Sequence, residues 1–169
     1  MAMEDYLQAR KEGLRFTHAL QSRGEDPNLP VLSELVPSLN RLSQVPLGIL
    51  QIPMDQIDGT VTKGRTTAFA RNFMPLLDTD SEFAVKWSVL YDNVMECGMR
   101  DPVVAYEYYN RFYIVEGNKR VSVMRRLDAV TIEGHVTRIM PEPEDSERYR
   151  IYQEFLGFFA DSGLNTFLF

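Results

Sequence analysis

Residues 111–127, RFYIVEGNKRVSVMRRL, hold the densest candidate chemistry in the chain. A strand-like run ends at Glu116-Gly117, and a helical pattern opens at Asn118-Lys119-Arg120. The first amides of a helix have no internal acceptor and point outward. The helix dipole places partial positive charge at the same end. A glycine just ahead lets a ligand approach the backbone closely. Lys119 and Arg120 then put two full positive charges where the dipole disfavours them, so an anion is expected there. The junction Gly117, Asn118, Lys119 and Arg120 is thus a candidate phosphate site. Three charge-assisted hydrogen bonds at about 1.5–3 kcal/mol each come to roughly 4.5–9 kcal/mol before the cost of association. Micromolar binding needs about −8 kcal/mol. Useful affinity therefore calls for a base, a sugar, a metal or a second phosphate contact as well. The plainer reading is that Lys119 and Arg120 only solvate a helix start.

Other candidates are weaker. Asp55, Asp58, Asp101 and Glu116 are the carboxylates a metal-dependent nuclease could recruit, with Asp101 and Glu116 the metal candidates. No D-x-D-like motif ties them together, and scattered surface carboxylates explain them better. His18 and His135 lack metal-ligand spacing, and a single Cys97 cannot build a zinc site. No Ser-His-Asp pattern, Walker A loop or dinucleotide fingerprint is present. Residues 58–75 carry Lys63, Arg65 and Arg71 without a clean period. They read as a surface loop or as a functional segment with nucleic-acid contacts at those three cations. Tyr106, Tyr108, Tyr109, Phe112 and Tyr113 could stack bases, although in strands half of them face the core. Arg125 and Arg126 read as a solvated helix face.

The elements that must position these residues belong to a chain of 169 residues with 44% hydrophobic and 25% charged side chains. That is an ordinary globular composition, and a single domain is the default. One cysteine permits no internal disulfide, the first residues are polar and acidic, and no apolar run reaches membrane-span length. A cytoplasmic protein with no membrane partner is expected. The net charge is −6. Residues 1–59 hold 5 basic and 8 acidic side chains, residues 60–140 hold 11 and 10, and residues 141–169 hold 2 and 6. An acidic protein repels a polyanion, so any nucleic-acid binding would need the middle segment.

Apolar spacing predicts helices over 4–23, 80–97, 118–127 and 146–160. Tyr6, Ala9, Gly13, Phe16 and Leu20 form the first stripe, and Phe83, Trp87, Leu90 and Val94 the second. Val121, Met124 and Leu127 face inward on the third helix, and Tyr152, Phe155, Leu156 and Phe159 form the stripe of the last. Thr79 with Glu82 fits a capping box, Gly98 a helix stop, and Ser146 a cap. Four prolines between residues 27 and 46 leave room only for short helices. Residues 47–52 read as a short buried strand. Residues 103–108 and 111–116 form a hairpin about Tyr109-Asn110. Residues 130–139 return as a strand with Gly134 at a bulge. The expected fold is mixed α/β (α+β), a small mixed sheet flanked by helices. The apolar tail GLNTFLF either packs back or marks the N-terminal domain of a longer protein.

Four segments in order resemble the ParB/sulfiredoxin-like superfamily, in the form known as the ParB-like nuclease domain. Ile52-Pro53-Met54-Asp55-Gln56-Ile57 is similar to its opening strand and turn, and Gly98-Met99-Arg100-Asp101-Pro102-Val103 to its G-x-x-Q-P-[IVL] loop. Glu116-Gly117-Asn118-Lys119-Arg120 resembles its G-E-R-R phosphate motif, and Leu127-Asp128-Ala129 its return segment. The resemblance spans Ile52 to Ile139. It implies a ParB-like core over about 45–140, with helical extensions over 1–44 and 141–169. It implies a shallow cleft that takes a nucleotide, CTP or ATP with Mg. Gly117, Asn118, Lys119 and Arg120 would hold phosphate, while Gly98, Arg100 and Asp101 would border the nucleotide or nucleic acid. Asn118 stands where sulfiredoxins carry their catalytic cysteine, which excludes that chemistry. Asp101 replaces the loop glutamine. Three functions fit these residues: a nucleotide- or phosphate-binding, regulatory domain; a nucleic-acid binder or nuclease; and a non-catalytic interaction domain that keeps only the fold. An oligomer is compatible with each.

Overall fold

The structure is a computed structural model that describes residues 2–64 and 66–162. Its frame is one five-stranded mixed sheet. The strands are β1 (Gln44–Pro53), β2 (Ile57–Thr60), β3 (Val103–Tyr108), β4 (Arg111–Glu116) and β5 (Thr131–Ile139), in spatial order β1-β5-β3-β4-β2. β1 runs antiparallel to β5 and β3 antiparallel to β4, while β3–β5 and β2–β4 are parallel. The helices are α1 (Ala2–Ser22), α2 (Leu32–Leu35), α3 (Glu82–Cys97), α4 (Asn118–Arg126) and α5 (Glu147–Ser162). This is the mixed α/β architecture expected from the order of periodic segments. No helix among the described residues is long and apolar enough to cross a membrane.

Alternation along the central strands divides the core in two. Ile52, Val103, Ala105, Phe112, Ile114, Ile132 and Val136 face Trp87, Phe83, Val121, Val123, Tyr6 and Ala9 from the helices. Tyr113 and Ile139 face Leu32, Leu39 and Val61 on the opposite side. The Trp87 indole N–H donates to Ser122 Oγ at 2.9 Å and ties α3 to α4. The Tyr6 hydroxyl donates to the Leu77 carbonyl at 2.6 Å and ties α1 to the segment ahead of α3. Tyr109 and Asn110 both have positive φ, as a two-residue hairpin turn requires.

Several expectations are corrected. β1 is longer than 47–52 and is an edge strand, and Ile52 is its one buried residue. Met54 donates to Val130, and Met140 to Ser43. That parity turns the nitrogens of Pro46 and Pro53 to the open edge, where no N–H is needed. The register shift lies between Pro46 and Gly48, not at Gly134. Gly134 is instead a close-packing position, because a Cβ there would lie 2.6 Å from Ile52 Cδ1. The cap of α3 is Ser81, whose Oγ accepts from the Ala84 amide at 3.1 Å; Thr79 lies outside the helix.

Residues 58–75 are not a surface loop. They carry most of β2, bury Val61, Phe69, Phe73 and Met74, and pair in turn with Pro30, Ile114 and Pro75. Three successive partners leave no single period to read. Arg125 is not a solvated residue either. Its guanidinium donates to the carbonyls of Met54 (2.9 Å) and Ile57 (2.7 Å) and lies 5.0 Å from the Phe73 ring centre. Arg126 pairs with Glu12 on α1. The tail from residue 163 onward lies outside the described residues.

Ser146 caps α5, accepting from the Tyr149 amide at 3.2 Å. At the far end of the hairpin, Glu107 is fully buried. It accepts from Arg138 Nε at 2.5 Å, from the Tyr152 hydroxyl at 2.8 and 2.7 Å, and from the Asn110 amide at 2.9 Å. This network fastens α5 to the sheet. Replacing the acid strands a buried guanidinium, so Glu107→Ala should cost about 3–5 kcal/mol in a urea melt. A loss below about 1 kcal/mol would show that Arg138 finds water instead. Burial also pushes the phenols of Tyr6, Tyr109 and Tyr113 up to about 12. The folded state then keeps protons that the unfolded chain releases near pH 10. Stability should be full below about pH 10 and fall as pH rises toward 12. Urea midpoints measured from pH 8 upward check this, and a flat profile would contradict it.

Candidate functional site

β4 ends at Glu116 on the flank of β3, and the chain must turn at once to lay α4 over the sheet. Gly117 makes that turn with φ 116° and ψ 26°. A Cβ at this position would stand 2.7 Å from Val103 Cγ1 and 3.2 Å from Arg120 Nε. Glycine is therefore required both by its backbone angle and by the two side chains that cross it. No side chain caps α4, and its first-turn amides lack intrahelical acceptors, as in any helix.

The turn borders a cleft of about 530 Å³. Phe69, Phe83, Leu90 and Val115 supply its apolar lining, and Thr60, Thr62 and Asn118 its neutral polar lining. Lys119 and Arg120 bring positive charge, and Asp101 and Glu116 bring negative charge. The Lys119 ammonium lies 5.9 Å from the Phe83 ring centre. Thr60 donates its hydroxyl proton to the Ile114 carbonyl at 2.9 Å, leaving a lone pair for Asn118 Nδ2 at 3.4 Å. That orients the Asn118 amide and leaves its Oδ1 as a buried acceptor with no partner among the described residues. A second hollow of about 320 Å³ adjoins the cleft. It is lined by Asn93, Val94, Cys97, Gly98, Met99 and Arg100, and it shares Leu90, Asp101 and Arg120 with the cleft.

Most of the residues singled out from the sequence therefore converge. Gly117, Asn118, Lys119, Arg120, Asp101 and Glu116 line one cleft, and Gly98 and Arg100 line its neighbour. Arg120 departs from the simple picture of a free cation. Its Nη1 donates to the carbonyls of Asp101 and Pro102, each at 2.8 Å. Lys63 sits outside the lining, 3.8 Å from Glu34, although Thr62 and Gly64 beside it do line the cleft. Arg71 donates to the Asp26 carbonyl at 2.9 Å. Arg65 lies outside the described residues.

Asp58 is not a metal candidate in this geometry, because Arg111 grips it at 2.6 and 3.0 Å and also reaches the Asp55 carbonyl at 3.0 Å. No group of three His, Cys, Asp or Glu side chains among the described residues is placed to share a metal. The aromatic run forms no stacking platform. Phe112 is in the main core, and Tyr106, Tyr108 and Tyr113 belong to the second cluster. Tyr109 packs on Tyr108 and Tyr152.

Sequence reasoning missed Thr60 and Thr62, which stand at and just past the end of β2 where it pairs with β4, and Phe69 further along the same segment. Phe83 and Leu90 were legible as apolar, but as stripe residues of a core-facing helix.

No protein-family model matches the chain, and no curated protein matches it. Among solved structures it is similar to sulfiredoxin from Arabidopsis thaliana. The identity is 18%, the match covers 62% of this chain and 96% of that chain, and the TM-score is 0.37.

Gly117→Ala tests the turn. The left-handed backbone and the 2.7 Å approach to Val103 predict a loss of about 1–3 kcal/mol in a denaturant melt. In a double-mutant cycle with Val103→Ala, which removes the clashing methyl and has its own cavity cost, the combined loss should be less than the sum of the two separate losses. A Gly117→Ala chain of unchanged stability would show that the turn relaxes freely.

Proposed function

We propose that this domain binds a nucleotide, or a smaller phosphate-bearing molecule, with its phosphate at the Gly117–Arg120 turn. The observation that carries the reading is the shared cleft: an uncapped helix start, two cations and a mixed apolar and polar wall border the same space. Its volume of about 530 Å³ falls within the roughly 300–1,000 Å³ of small-molecule sites. The wall answers the energetic shortfall of a bare helix start, since Phe69, Phe83, Leu90 and Val115 offer apolar area to a base. CTP and ATP are the ligands to try first. A magnesium ion would arrive on the phosphates, with Asp101 and Glu116 as the two carboxylates on the cleft able to meet it or its waters.

Binding is the activity put forward, because the cleft brings cations and outward-facing helix amides together beside an apolar wall. Small ligands are favoured over nucleic acid because the middle segment's cations are largely spent inside the protein. Arg71, Arg111, Arg125, Arg126 and Arg138 all hold intramolecular partners.

Thermal melts with CTP, ATP and inorganic pyrophosphate, each with and without magnesium, test the reading. A ligand at a hundred times its Kd stabilises by about 2.7 kcal/mol, which is roughly 5–10 °C for a domain of this size. Lys119→Gln, which keeps the alkyl stem and removes the charge, should cut the rise to less than half. No shift with any of the three at millimolar concentration would refute the proposal.

A further inference from the structure

Arg120 stands where the two hollows meet. Its side chain leaves the first turn of α4, crosses over Gly117 and ends on the segment Gly98–Pro102. Both protons of Nη1 go to the carbonyls of Asp101 and Pro102. A guanidinium has five N–H donors in a rigid plane, so three remain. Nε and Nη2 take no hydrogen bond among the described residues, and neither is buried. These two nitrogens form one edge of the plane, the fork that meets an oxyanion with two parallel bonds. Because the plane is rigid, fixing Nη1 fixes that edge.

We infer that Arg120 couples the Gly98–Pro102 loop to the oxyanion at the turn: the loop carbonyls aim the fork, and a bound oxyanion in return holds the loop. The inference rests on the anion reading of the turn and adds a positioning role for the loop backbone. A loop that wanders frees the guanidinium to rotate, and the anion then meets a mobile cation instead of an aimed pair of donors. Linkage makes the effect mutual, so the factor by which loop order favours the anion is the factor by which the anion favours loop order. The loop also walls the second hollow, so occupancy of the cleft sets the shape of that hollow. Lysine cannot replace Arg120 in this role, because a single ammonium has no plane to transmit orientation.

Hydrogen–deuterium exchange of the peptide covering residues 98–102, in the whole chain, reads the coupling with inorganic pyrophosphate as probe. Saturating pyrophosphate should slow exchange there by about threefold or more. Pro102→Gly alters no side chain of the cleft and loosens only the loop. It should weaken pyrophosphate, measured by calorimetry, by about three- to fivefold. Arg120→Lys should speed loop exchange with no anion present. If pyrophosphate binds while loop exchange and the Pro102→Gly affinity stay at wild-type values, the coupling is overturned and the anion reading stands. If pyrophosphate, CTP and ATP all fail to bind, both fall; if only a nucleotide binds, the same exchange and affinity measurements made with that nucleotide decide the coupling. Unchanged loop exchange in ligand-free Arg120→Lys removes the brace itself, whatever the anion does.

Discussion

The contact between Gly117 and Val103 sets the geometry on which the site depends. β4 must release the chain beside β3, and α4 must begin before the backbone has moved away from the sheet. Only a residue without a Cβ passes Val103 at this distance, and only one tolerant of positive φ turns there. From this turn follow the uncapped start of α4, the burial of Val121 and Val123 beneath it, and the path of Arg120 toward the loop after α3. The interaction is steric, short-ranged and insensitive to salt. It therefore places charges without depending on charges.

Electrostatics divides the molecule into two uses of arginine. Arg125 and Arg138 serve as internal fasteners. One closes the carbonyls of the β1–β2 corner, and the other neutralises Glu107 under α5. Their charges are committed to the fold, and burial lowers the Arg125 pKa below its ordinary value. Lys119 and Arg120 line the cleft beside Asp101 and Glu116, and Arg120 also holds the carbonyls of Asp101 and Pro102. The basic middle of the sequence therefore places Lys119 and Arg120 on the cleft and gives Arg71, Arg111, Arg125, Arg126 and Arg138 partners elsewhere in the fold. The same arithmetic of charge, read without coordinates, could not separate fasteners from cations on a cleft, because both are simply basic residues in a helix or strand.

Much of the site was legible one segment at a time. The Gly117–Arg120 junction, the loop after Gly98 and the acids Asp101 and Glu116 are local in sequence, and their chemistry follows from local rules about helix starts. The second wall was not. Thr60 and Thr62 follow no period, because their segment pairs first with Pro30, then with Ile114 and then with itself at Phe69 and Pro75. Phe83 and Leu90 have the spacing of core residues, and the spacing is right; they sit where the core opens into the cleft. Likewise 47–52 has the apolar content of a central strand, yet β1 lies at the edge because β5 pairs with it on one side alone.

By itself, then, the sequence determined periodicity, turn chemistry and the presence of two cations at a helix start behind a glycine, since these depend on neighbours within a turn or two of backbone. Tertiary structure alone decided which strands are central, which cations are consumed by carbonyls and carboxylates, and which apolar residues face a cleft. Those outcomes depend on groups far apart along the chain, such as Arg125 with Met54 at 71 residues' separation. No local pattern encodes a partner that only folding brings near.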